Sequence, residues 1–231
     1  PTGGGTMHNK VVYQIGKGFC RIGAPVLRFN FRGVGTSEGS FEDGPGEMAD
    51  YRAALDFMAA RYPGAELWAA GFSFGAWVAM TVGAMDDRVT TLIGVAPPVD
   101  RYDFSAVLES LKPKFFIQGD RDDLCPYPSM RAFYAKVPGP KELVTIDGAD
   151  HLFDGKTAVA AALYLETLSD YQAAVTRDIG PATGAKEGIV AIVAAHIRWV
   201  ERNPQRDGKL ARYGSTENFL EKGLAVCITQ G

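Results

Sequence analysis

Five short runs along the chain are rich in apolar, partly β-branched residues and are bounded by Gly, Pro or Asp: residues 24–31, 66–72, 89–96, 114–118 and 142–146. Apolar stretches of this length without polar alternation are what a strand shows when both of its faces are covered, as in a parallel sheet. Thr91-Leu92-Ile93-Gly94-Val95-Ala96 is the clearest of them. Between the first two runs the period changes. Met48, Tyr51, Leu55 and Met58 recur at three- and four-residue spacing, while Glu47, Asp50, Arg52 and Asp56 take the other side. Residues 46–62 are therefore predicted to form an amphipathic helix that stops at Pro63-Gly64. A second helix is expected to start at Ser73 and to carry Ala76, Val78 and Met80. Strand and helix alternate, which predicts an α/β fold with a mostly parallel sheet flanked by helices.

After His151 the strand signals give way to helical patterns over residues 156–177 and 185–202, broken at Asp178-Ile179-Gly180-Pro181. Strand character returns only at the end, in Leu224-Ala225-Val226-Cys227-Ile228-Thr229. The organisation expected is a core over residues 1–151, a helical segment over 152–222 packed on that core or capping it, and a strand-like tail over 223–231.

Composition narrows the class. Of 231 residues, 46% are hydrophobic and 22% charged, which excludes a disordered or collagen-like chain. Basic and acidic residues number 24 and 27, so overall charge supports neither a nucleic-acid nor an anionic-membrane partner. Cys20, Cys125 and Cys227 are odd in number and far apart, which is neither a disulfide framework nor a metal-ligand set and points to a reducing, cytoplasmic setting. No run approaches the ~18 consecutive apolar residues of a membrane span. The chain starts at Pro1 rather than Met, so an upstream segment, a removed export signal included, is left open.

Chemistry gathers in three places. Gly71-Phe72-Ser73-Phe74-Gly75 joins the second strand to the helix after it, the context of a G-x-S-x-G nucleophile elbow. Small neighbours let the chain turn sharply beneath the serine, exposing its Oγ and aiming the helix N-terminus, with the Phe74 N–H, at a developing oxyanion. A serine hydroxyl needs a base. His151 closes Asp147-Gly148-Ala149-Asp150-His151 directly after the fifth run, whereas His196 falls within the predicted helix 185–202 and His8 has no strand before it. The orienting acid belongs between serine and histidine in chain order. Gly119-Asp120-Arg121-Asp122-Asp123-Leu124-Cys125-Pro126 supplies three carboxylates there, of which Asp122 is the first choice and Asp120 the next.

Taken in order, these motifs resemble the α/β-hydrolase superfamily, in particular its small bacterial serine esterases related to dienelactone hydrolases. The resemblance spans about residues 1–154. It is also carried by Gly3-Gly4-Gly5-Thr6-Met7 with Asn9-Lys10, by Arg28-Phe29-Asn30-Phe31-Arg32-Gly33-Val34-Gly35-Thr36-Ser37 and by Ala96-Pro97-Pro98. It implies a Ser73–His151–Asp122 triad, oxyanion donors from Phe74 and from the Thr2/Gly3 loop, and no cofactor or metal. Phe72, Phe74, Tyr102, Phe104 and Phe153 sit beside the motif loops, where they read either as an apolar acyl or aryl pocket or as ordinary core. The short connection over residues 99–111 leaves little room for a cap.

Two departures from that family carry consequences. Its members have strands ahead of the glycine-rich loop, including a central one that ends in His-Gly or His-Pro, and this chain begins after them. An empty central slot leaves backbone groups unpaired in the core. Leu224–Thr229 is therefore expected to fill it in a permuted topology, parallel to both neighbours, the other reading being a frayed edge or tail. Residues 152–205, in turn, look like the ligand-binding half of tetracycline-repressor-type regulators, yet no helix-turn-helix accompanies them to read DNA. The function expected is a serine hydrolase that cleaves small carboxylic esters through an acyl-enzyme. The alternatives are a thioesterase, amidase or acyltransferase built on the same triad, and a non-catalytic ligand-binding or dimerisation module. The partner expected is a small-molecule ester, without nucleic acid or membrane, with homodimerisation an open option.

Overall fold

All five apolar runs form strands: β1 Val26–Phe29, β2 Glu66–Ser73, β3 Val89–Val95, β4 Lys114–Gly119 and β5 Lys141–Ile146. The structure, a computed structural model, describes residues 5–157 and the backbone of residues 189–196. A sixth strand, β6, runs over Ile189–His196. The sheet order is β1-β6-β2-β3-β4-β5, and every neighbouring pair is parallel. Helices α1 Lys10–Arg21, α2 Pro45–Arg61, α3 Phe74–Met85, α4 Ser105–Glu109 and α5 Tyr127–Lys136 connect or flank the first five strands.

Side chains alternate across the sheet with the two-residue period of a strand. On β2, Leu67 and Ala69 join the core beside Tyr51, Leu55 and Met58 of α2 and Val78 of α3. Trp68, Ala70 and Phe72 point the other way, into a second core with Val12, Ile15 and Phe19 of α1. Both faces are dry, so β2 lacks polar alternation. Helix α1 begins where the Asn9 side chain accepts a hydrogen bond from the Val11 N–H at 2.8 Å, which satisfies one of the free donors of its first turn.

The central slot is occupied, but not by the expected segment. β6 lies between β1 and β2, with Ala191 opposite Val26 on one side and Trp68 on the other. Residues 189–196, predicted as part of a helix, are thus a strand, and the expectation for Leu224–Thr229 is corrected: residues 189–196 hold that place, and 224–229 lie outside the described residues. The physical reason is pairing. Ile189-Val190-Ala191-Ile192-Val193-Ala194-Ala195 is apolar on every side, so periodicity alone does not separate helix from strand. Two facing strand edges in the core demand hydrogen-bond partners, and that demand selects the strand.

Among the described residues, no helix is long and apolar enough to cross a membrane. Of the helix expected over 156–177 only Lys156 and Thr157 are described, and the rest of the segment expected to be helical lies outside the described residues apart from β6.

Candidate active site

The site forms at the C-terminal ends of β2, β4 and β5. Ser73 ends β2 with φ 54° and ψ −126°, and α3 starts at the next residue. A non-glycine residue at positive φ is strained, and here the strain turns the side chain out of the sheet. The turn is possible because Gly71 has no Cβ: one placed there would collide with the Gly75 backbone. The Phe74 N–H stands at the first position of α3, at the positive end of that helix.

His151 comes from the loop after β5 and reaches across to Ser73, with Nε2 3.0 Å from Oγ. Its Nδ1 lies 2.8 Å from Asp122 Oδ2. Both groups are buried, His151 to 5% and Asp122 to 4% residual exposure. The Phe72 ring lies under the imidazole, with centroids 5.1 Å apart. Asp122 is held by four donors. Oδ1 accepts the N–H groups of Leu124 at 2.9 Å and Cys125 at 2.7 Å, and Oδ2 is shared between His151 and the Gln118 amide at 2.9 Å. The same Gln118 nitrogen donates to Cys125 O at 2.8 Å. Both of its partners are acceptors, so the amide orientation is determined by chemistry.

Asp120, the second candidate acid, takes another place. It is exposed, and its carboxylate accepts the Gly148 N–H at 2.6 Å, tying the end of β4 to the histidine loop. The two loops run so close that a Cβ on Gly119 would strike Ala149 O. His8 lies on an exposed turn before α1, and His196 ends β6, in register with Ser73. Thr2 and Gly3 lie outside the described residues. Further along, the Met7 N–H donates to Asn30 Oδ1 at 2.7 Å, and Arg28 donates to Met7 O at 2.7 Å.

A pocket of about 360 Å³ opens over Ser73 and His151. Phe41, Phe74, Pro98, Tyr102 and Leu124 form its apolar wall. Tyr102 is clamped by stacking on Trp77, with centroids 4.4 Å apart, and by edge contact with Phe74. Of the other aromatic candidates, Phe72 backs the imidazole, Phe104 packs on Phe133 in the α5 core, and Phe153 is fully buried in the α1 core, so these three are not pocket walls. Glu47, wholly buried, accepts the N–H groups of Glu42 at 3.1 Å and Gly44 at 2.8 Å and thereby shapes the loop that presents Phe41 and Asp43. Residues 96–113, between β3 and β4, hold only the five-residue α4.

Sequence reasoning overlooked Gln118, Cys125 and the charged pocket residues Asp43 and Arg101. Gln118 left one trace, a lone polar residue at the end of the apolar Phe115-Phe116-Ile117. Asp122, Cys125 and His151 place one potential metal ligand each within 4.8 Å of one another. Their chemistry does not suit a metal: burial first, then the Asp122 charge, push the Cys125 thiol well above its ordinary range, and Asp122 is already committed to four donors.

Residues 2–114 match the family described as serine aminopeptidase, S33. A protein of Rickettsia prowazekii, described as uncharacterized, is 38% identical over 162 residues, which is 66% of this chain and 68% of that protein. Among solved structures, an α/β serine hydrolase homologue from Coxiella burnetii is 38% identical with a TM-score of 0.67, covering 71% of this chain and 79% of that one. A member of the α/β serine hydrolases without a lid, from Xanthomonas campestris, is 36% identical with a TM-score of 0.66 and 78% coverage of both chains.

Proposed function

Since the chain belongs to the α/β serine hydrolases, we propose that it hydrolyses small carboxylic esters through an acyl-enzyme, as the small dienelactone-hydrolase-like esterases do, with Ser73 as nucleophile, His151 as general base and acid, and Asp122 as the carboxylate that orients His151. The observation that carries this reading is the continuous relay from Ser73 Oγ through both nitrogens of His151 to a buried Asp122.

In the first half-reaction Ser73 Oγ attacks the ester carbon while His151 Nε2 takes the hydroxyl proton. The negative charge on the carbonyl oxygen is met by the Phe74 N–H and by an N–H of the Thr2/Gly3 loop. The bond from carbon to alkoxide oxygen breaks, His151 returns the proton to the leaving alcohol, and the acyl group stays on Ser73. Water then attacks the acyl carbon, gives its proton to His151, and releases the carboxylic acid as Ser73 recovers its hydrogen. Asp122 holds Nδ1 protonated, so that Nε2 faces Ser73 as a base, and stabilises the imidazolium formed in each step. The short connection around α4 leaves little room for a cap inserted between β3 and β4.

The test is turnover of 4-nitrophenyl acetate and butyrate by the full chain and by Ser73→Ala. Wild-type turnover that falls by about 10³-fold or more in the variant is expected. Retained turnover in Ser73→Ala removes the nucleophile assignment, and an inert wild type favours a ligand-binding or dimerisation module. Thioester, amide and acyl-transfer substrates would use the same relay, and the same variant applies to them.

A further inference from the structure

The loop that delivers His151 hangs from the edge of the sheet. Among the described residues β5 pairs only with β4, so the sheet's grip on residues 147–151 comes from the end of β4. Three hydrogen bonds make it. The Asp120 N–H reaches Ile146 O at 3.4 Å, the Arg121 N–H donates to Ala149 O at 3.0 Å, and Asp120 Oδ1 accepts the Gly148 N–H at 2.6 Å. The last is the shortest of the three, and of the three it alone is made by a side chain. Gly148 sits in the left-handed region at φ 62°, where a glycine turns freely, so an acceptor on its N–H removes a freedom that the residue type leaves open.

Two residues further on, the same acid loop engages the imidazole itself, with Asp122 Oδ2 2.8 Å from His151 Nδ1. The two carboxylates have separate tasks: Asp120 takes the backbone of the histidine loop, and Asp122 takes the ring. Past His151 the chain is braced internally, because Asp150 Oδ1 accepts the Leu152 N–H at 3.1 Å and the Asp154 N–H at 3.0 Å. The segment around His151 is therefore stiff in itself. A shift at Gly148 is passed on to the imidazole rather than absorbed.

We propose that Asp120 is a positioning residue for the reaction: by accepting the Gly148 N–H it sets the approach of His151 Nε2 to Ser73 Oγ, 3.0 Å in this structure, and the engagement of Nδ1 by Asp122. The inference rests on the hydrolase reading of the same site. The working part of Asp120 is its acceptor oxygen and not its charge. Its side chain is exposed, where water and salt screen a charge, whereas a hydrogen bond to a backbone N–H acts on geometry at any ionic strength. Proton transfer is sensitive to such placement, since a displacement of about 1 Å can cost about a hundredfold in rate. The Arg121 N–H bond to Ala149 O limits the displacement, so the loss expected without Asp120 is smaller than that.

Asp120→Ala and Asp120→Asn in the full chain separate acceptor from charge, because Asn keeps an oxygen that can take the Gly148 N–H. Turnover of 4-nitrophenyl butyrate is measured at a temperature where circular dichroism shows both variants folded. Asp120→Ala should lower kcat about tenfold with KM within about twofold of wild type, and Asp120→Asn should restore kcat to within about threefold, at high salt as at low. A kcat in Asp120→Ala within about threefold of wild type overturns the proposal, and so does an Asn variant as slow as the Ala variant, or a loss confined to KM. If the wild type turns over no ester, the hydrolase reading fails instead. The placement of His151 is then read without turnover, from the nitrogen shifts of isotope-labelled histidine above the pH at which imidazole is charged, with His151→Gln as the assignment control. Wild type and Asp120→Asn should hold the Nδ1–H tautomer, and Asp120→Ala should mix in the Nε2–H tautomer. Identical His151 signals in wild type and Asp120→Ala would overturn the proposal.

Discussion

Asp122 is the most heavily engaged side chain of the site, and Gln118 is what makes its geometry rigid. The Gln118 amide spans Asp122 Oδ2 and Cys125 O, so it sets both the carboxylate and the turn that carries it. Gln118→Leu leaves a buried carboxylate oxygen with one donor fewer and the Cys125 carbonyl without this partner. We expect a loss of about 1–3 kcal/mol in stability, read by urea unfolding, and a fall in kcat that exceeds any change in KM. Asp122→Asn should cost far more, about 10³–10⁴ in kcat, because an amide no longer enforces the imidazole tautomer. Cys125 presents the opposite case, a thiol in the pocket wall that chemistry has silenced. Burial and the Asp122 charge keep it protonated. Iodoacetamide near neutral pH should therefore leave Cys125 unmodified in the folded chain while the half-buried Cys20 reacts, as read by peptide mass spectrometry.

At the scale of the element, the turn from β2 into α3 depends on a backbone that no larger residue permits. Gly71 lies against the Gly75 carbonyl, so Gly71→Ala forces the strand end away from α3. The expected result is a destabilisation of more than about 2 kcal/mol together with loss of ester turnover, measured by denaturant unfolding and by activity at a temperature where the variant remains folded. The pattern Gly-x-Ser-x-Gly already marked this turn, because steric need is written in residue type. Residues 189–196, within the helix expected over 185–202, were misread for the converse reason. An uninterrupted apolar run such as residues 189–195 suits a buried helix and a buried strand alike, and what separates them is the neighbour rather than the run.

For the molecule as a whole, β6 is the element on which sheet integrity turns. It comes from far along the chain and pairs with both β1 and β2. A chain ending at Thr157 would leave two parallel strand edges facing each other across a gap one strand wide, with unpaired backbone groups between two apolar layers. Such a chain should aggregate or lose its cooperative unfolding transition, as seen by size-exclusion chromatography and thermal circular dichroism. Ile192→Pro, at the middle of β6, removes one ladder donor while keeping the length, and should lower stability by about 3 kcal/mol or more.

The five early strands, the α2 helix and the strand-to-helix turn at Ser73, to which His151 comes within 3.0 Å, were legible in residue order, since burial on both faces, helical period and the steric demands of a sharp turn are local properties. Asp122 was preferred over Asp120 on the acid loop alone and again through the family resemblance, and the structure buries the first carboxylate and exposes the second. Gln118, Arg101 and the aromatic clamp on Tyr102 emerged only in three dimensions. So did the identity of the central strand, because hydrogen-bond pairing between segments more than a hundred residues apart is decided by which edges meet, and edges meet only in the folded sheet.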